Sequence, residues 1–254
     1  NPEKSRPRRA WGSLTAAMRH PILAATSRLL SLDMLETSVG FFTCAKRRLV
    51  QTTKAVSLSA SLGFRGGVSS VHTSRTMMLD ELSLVLASVA PKATADAYIS
   101  AIVDENILGK RTQTTRQRSA KRLTELYALD PACTVFRLLR HFWPADRAGQ
   151  PMLALLAAAT RDPLLREATP FVLSVPPKAP VNATQIGEHL NQKYPARFRP
   201  TTLHSTAQNL ASSWTQAGFL TGKVKKNRSR PTITPVVAAF ACVLGYLCGS
   251  RGKL

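Results

Sequence analysis

The chain has 254 residues, 44% of them apolar, enough for one large domain or two small ones with packed cores, which excludes a wholly disordered chain. Its 35 Lys+Arg against 14 Asp+Glu give a formal charge of +21, a self-repelling excess that favours a polyanionic partner, nucleic acid first and an anionic membrane surface second. Cys44, Cys133, Cys242 and Cys248 form no CxxC pair and the five histidines no HExxH, so no disulfide frame, metal site or cofactor is expected; the cysteines read as small buried hydrophobes in a reducing cytoplasm.

Residues 1–75 hold 12 basic side chains against Glu3, Asp33 and Glu36, with weak periodicity. They are expected to form a partly disordered basic arm, or to lie upstream of a start at Met77 or Met78, since the chain does not open with Met. A targeting peptide is disfavoured because Arg19, His20, Pro21 and Arg28 interrupt the apolar run such a segment needs.

Helical spacing sharpens at Met77. Leu79, Leu82, Val85, Leu86 and Val89 share one face, and Pro91 ends that helix. A second helix runs from Ala97 to Asn106. After Leu108-Gly109, a third is expected from a Thr112 or Thr114 cap to about Leu129, with Leu123, Leu126 and Leu129 inward. This stretch concentrates Lys110, Arg111, Arg116, Arg118, Lys121 and Arg122 beside Thr112, Thr114 and Thr115. Backbone N–H groups at a helix start, hydroxyls and guanidinium groups together suit a phosphate. A solvated basic helix with its Arg stems over the core is the plainer alternative.

Asp130-Pro131 is expected to open a further helix with Val135, Leu138, Leu139 and Phe142 inward. Helices from Pro151 to Thr160 and from Asp162 to Val175 follow, the latter interrupted at Pro170. Pro176-Pro177-Lys178-Ala179-Pro180 reads as a linker. Beyond it, helices Thr184–Tyr194 and Thr201–Ala217 are joined by a Pro-rich turn. The second carries Leu203, Ala207, Leu210 and Trp214 on one stripe, and Gly218 sits where a left-handed cap belongs. Phe219-Leu220 opens a strand, and Thr232-Ile233-Thr234 is expected to return as its partner across a basic hairpin. Helix, turn, helix and basic hairpin in that order is the winged-helix order.

On the Thr201–Ala217 helix the outer face offers His204, Ser205, Gln208, Asn209, Ser212 and Gln216, with no acid anywhere in the segment. Short neutral polar groups of this kind can reach base edges in a major groove. Lys223, Lys225, Lys226, Arg228 and Arg230 would then lie on flanking phosphates. A protein-docking role remains open for such an element.

The segment NILGKRTQTTRQRSAKRL resembles the Asn-x-Leu-x-x-Arg-Thr/Ser-x-x-Thr-x-x-Arg pattern of the BrxA family of BREX phage-defence systems, through Asn106, Leu108, Arg111, Thr112, Thr115 and Arg118. HSTAQNLASSWTQAGFL is similar to that family's later Ser-Thr…Leu…Gly-hydrophobic segment, through Ser205, Thr206, Leu210, Ala217, Gly218 and Phe219. The resemblance spans roughly Ser61 to Leu220. It implies a small helical DNA-binding accessory protein without catalysis, with other defence-system proteins as candidate partners. The basic N-terminal stretch and the apolar helix after the hairpin depart from the family pattern.

Nuclease chemistry would need clustered carboxylates, yet the only adjacent acidic pairs are Asp80-Glu81 and Asp104-Glu105, and neighbours on a helix point apart. No phosphate loop ending in Lys-Ser/Thr and no GxSxG occurs. The run Pro235 to Cys248 is shorter than the ~20 residues a membrane span requires and reads as a buried helix. The expected fold is therefore mainly α. A basic N-terminal region (1–75) precedes a helical domain with a helix-turn-helix (76–175) and a winged-helix domain with a C-terminal apolar helix (181–254). The expected function is non-enzymatic binding of double-stranded DNA, with a stand-alone transcription regulator or an RNA-binding protein as alternatives. Target sequence and oligomeric state stay open.

Overall fold

The computed structural model describes residues 61–249, so residues 1–60 of the basic arm expected over 1–75 lie outside the described residues, as does Cys44, whereas its last part is no arm: Phe64, Ser70, Val71 and His72 are buried in the core. The architecture is mainly α, as the periodicities predict. In chain order the helices are α1 (Leu79–Ser88), α2 (Ala95–Val103), α3 (Gln113–Tyr127), α4 (Thr134–Phe142), α5 (Gln150–Arg161), α6 (Pro163–Ser174), α7 (Ala183–Lys193), α8 (Pro200–Gln216) and α9 (Pro235–Leu247). Short strands β1 (Pro180–Val181), β2 (Leu220–Thr221) and β3 (Lys226–Arg228) form one antiparallel sheet in the order β1-β3-β2.

Local chemistry fixes most of the helix starts. The hydroxyls of Thr94, Thr112 and Thr234 accept from the backbone N–H three residues on, as does the Asp162 carboxylate. Asn182 and Gln185 form a reciprocal capping box at α7. Helices α6, α8 and α9 have proline in their first turn, where its missing N–H costs nothing.

Helix α5 is the hub. Every residue from Met152 to Thr160 is buried, and it touches α3, α4, α6, α8 and α9. An Ala-rich helix suits this position because small side chains let several neighbours approach closely. Helices α7 and α8 pack on each other, and α7 lies on α6. One hydrophobic cluster runs from Phe64 to Cys248 through both ends of the described chain.

Four expectations fail in detail. Thr232–Thr234 is not a strand; β3 is Lys226–Arg228, and Thr234 instead caps α9. Helix α6 runs through Pro170, whose ring faces solvent and so meets no packed neighbour. Asp130-Pro131 makes a turn, with the Ala132 N–H donating to the Asp130 carboxylate at 2.8 Å, and α4 begins only at Thr134. Cys242 is exposed rather than buried, because α9 buries Val237, Phe240, Ala241 and Leu244 and turns Cys242 and Tyr246 outward.

Candidate nucleic-acid interface

Two surfaces gather the residues singled out in the sequence. The first is α3 and the turn that leads into it from α2. Thr112 ends the turn in extended backbone and takes the Thr115 N–H on its hydroxyl at 3.2 Å, while the two hydroxyls lie 2.8 Å apart. Ser119, Ala120, Leu123, Leu126 and Tyr127 face inward. That leaves Thr114, Gln117, Arg118 and Lys121 exposed on one stripe at spacings of three and four residues, with Arg111 exposed just before it. Among the described residues, none of Arg111, Arg118 and Lys121 has an acidic partner.

The other three cations of this segment are engaged. Lys110 Nζ pairs with Glu81 at 3.0 Å, and Arg122 with Glu125 at 2.8 Å. Arg116 donates to the carbonyls of Lys110 and Val103, which ties the start of α3 to the end of α2. Gln117 belongs to the exposed stripe and was missed in the sequence, although its spacing from Thr114 and Lys121 marks it. Asp104 and Glu105 are exposed in the turn, so the cationic stripe begins after them.

The second surface is the N-terminal half of α8 with the hairpin. His204, Ser205 and Gln208 are exposed, and Ser212 and Gln216 are half-buried. Asn209 is turned the other way: its amide donates to the His72 carbonyl at 2.9 Å, so it holds a neighbouring turn and is not free for a base edge. In the hairpin Lys223 and Lys225 are fully at the tip, and Lys226 reaches back to the Gly222 carbonyl at 3.2 Å. Gly222 has φ +102°, and a Cβ there would stand 2.0 Å from the Lys225 carbonyl oxygen, so only glycine fits.

Arg228 corrects the expectation most sharply. Its side chain is buried under the sheet, donating to the carbonyls of Val172, Phe219 and Ser229 and lying 5.0 Å over the Phe219 ring. Burial, and then repulsion from Arg230, lowers its pKa. It ties the hairpin to α6 and cannot lie on a phosphate. Arg230 is exposed.

Between the two surfaces runs a buried polar joint that the sequence did not announce. A short 3-10 turn, Val71–Thr73, places His72 in the interior. Its ring stands between the Asp162 carboxylate, 3.1 Å from Nδ1, and the Ser213 hydroxyl, 3.0 Å from Nε2. Asp162 also accepts from the Ser70 hydroxyl, the Val71 N–H and the Leu165 N–H. Burial alone would raise the Asp162 pKa, but the neighbouring His72 and these hydrogen bonds outweigh it and hold it at about 2. Only the pairing of distant residues in space reveals this joint, so no sequence signal could have found it.

Among the described residues no group of three or more His, Cys, Asp and Glu side chains gathers as a metal site requires. No helix among them is long and apolar enough to cross a membrane.

Comparison with known families gives one match, over about two-fifths of the chain. Residues 69–173 match the BrxA family model. The matched span begins beside the Ser70–His72 turn, contains all of α1 to α5, and ends within α6. Over that span the chain is similar to the BrxA family. The basic α3 segment lies inside the BrxA match, whereas α8 and the hairpin lie outside it. No curated protein matches the chain.

Proposed function

We propose that this chain is a non-enzymatic accessory protein of a BREX-like phage-defence system that binds double-stranded DNA through α3 and through α8 with its hairpin. The observation that carries the reading is the exposed stripe of α3, where Arg118 and Lys121 have no acidic partner among the described residues and stand beside Thr114 and Gln117. Unpaired cations on a rigid helix repel one another in isolation, and a line of phosphates relieves that repulsion. The order α6, β1, α7, α8, β2, β3, with β3 between its two partners, supports reading the second half as a winged helix. In that reading His204, Ser205 and Gln208 face the groove, and Lys223 and Lys225 contact the flanking backbone. The BrxA match supports the defence setting.

The test is duplex binding measured across a salt series. Replacing Arg118 and Lys121 by Ala removes two phosphate contacts, so affinity should fall by about tenfold and the salt slope should flatten by roughly two. Parental affinity and slope in that variant would overturn the reading. Gln208→Ala should change sequence preference if its amide reads a base; unchanged preference assigns α8 to backbone contact alone. Single-stranded DNA and RNA run in parallel decide the nucleic-acid class.

A further inference from the structure

The buried joint links the two proposed surfaces through one short piece of chain. On one side Tyr127, the last residue of α3, donates its hydroxyl to the Met77 carbonyl. On the other, the Met77 N–H donates to Ser213 on α8 at 2.9 Å. Ser213 meets the His72 ring, His72 meets Asp162, and Asp162 caps α6. Asn209 grips the His72 carbonyl from α8 one turn earlier. His72, Ser213 and Asp162 are all 2% exposed or less. Apolar packing tolerates sliding of one helix past another, whereas buried hydrogen bonds hold only in one register, since each broken one leaves an unsatisfied group.

We propose that the Ser70–Met77 turn, with Asn209 and Ser213, is a positioning element that fixes α8 and its hairpin at a set spacing from α3, so that both cationic surfaces engage one duplex at once. The proposal rests on the DNA-binding reading above. Two weak surfaces held rigidly act together because the second contact forms at a high effective concentration. Loosening the joint leaves each surface intact and removes that advantage.

The experiment compares the full chain with Asn209→Ala and Ser213→Ala on two labelled duplexes, one of about one helical turn (~10 bp) and one of about two (~20 bp). Melting curves first set a temperature at which each variant is folded. The parent should bind the longer duplex more tightly. Both variants should lose about tenfold on the longer duplex and less than about twofold on the shorter one. Equal loss on both lengths, or no loss, overturns the positioning role. A parent that binds both lengths alike overturns instead the two-surface reading on which it stands, so the two failures are told apart before any variant is scored. Should Ser213→Ala not fold, Asn209→Ala answers alone, because its half-buried side chain makes one bond to a carbonyl.

Discussion

An arginine adds to a binding surface only when its guanidinium is free to meet a partner there, and in this chain several are held by backbone carbonyls instead. Arg161 and Arg166 donate to the carbonyls of Gly63, Glu125, Ala159 and Arg65, and Arg140 donates to those of Leu86 and Val89 at the end of α1. Burial pulls the pKa of Arg166 down to about 10, with Asp162 partly opposing. These cations, like Arg228, are internal ties between elements. Arg228→Ala should therefore lower stability by about 3 kcal/mol in thermal melts, since three carbonyls lose their donor. Lys225→Ala, at the exposed tip, should change stability by less than about 0.5 kcal/mol. Asp162 gives a pH signature. Its folded pKa of about 2 lies below its ordinary value of 3.8, so its contribution is fully present above pH 4 and is lost as pH falls through 2. Asp162→Asn should flatten the acid limb of the stability curve between those values, measured by denaturant titration. An unchanged acid limb would mean the carboxylate is not held as described.

At the scale of elements, caps and turns decide what forms. Thr112→Ala should cost about 1 kcal/mol and fray the first turn of α3, visible as faster amide exchange at Gln113 to Thr115. Gly222→Ala should disrupt the hairpin, because both its φ and the Lys225 carbonyl exclude a Cβ. Helices were the legible part of the sequence: Thr112 announces the start of α3, and the Leu210 and Trp214 stripe announces the inner face of α8, whereas the caps at Thr94 and Thr234 went unread. The partner strand was not legible. Thr232–Thr234 has β-branched side chains and Lys226–Arg228 has none, so local preference points to the wrong segment. What selects Lys226–Arg228 is the tight turn at Gly222 and a second ladder with β1, both non-local to the strand itself. Similarly, the acid-free character of α8 was readable, but which polar groups turn inward was not. Asn209 and Gln208 are neighbours of like chemistry, and only the docking of the Val71–Thr73 turn separates them.

For the whole molecule, the balance lies between a shared core and a net charge of +21. Helix α5, buried from Met152 to Thr160 among the other helices, should make the described chain unfold as one cooperative body. Self-repulsion among exposed cations opposes that body, so added salt or duplex should raise the melting temperature. Duplex should act at micromolar concentration, where salt has no effect. A melting temperature that ignores duplex while binding is detected would place the contact on parts of the chain that do not share this core.

The joint at His72 has a consequence for anyone who searches folds with catalytic templates. Ser213, His72 and Asp162 follow one another at 3.0 Å and 3.1 Å, in the order of a hydrolase's charge-stabilised nucleophile, although the Ser213 hydroxyl donates to the Asn209 carbonyl. Yet the Ser213 hydroxyl is sealed from solvent and already accepts the Met77 N–H, leaving no room for an acyl group. A fluorophosphonate probe should leave the native chain unlabelled, and any labelling that appears should vanish with Ser213→Ala and track unfolding.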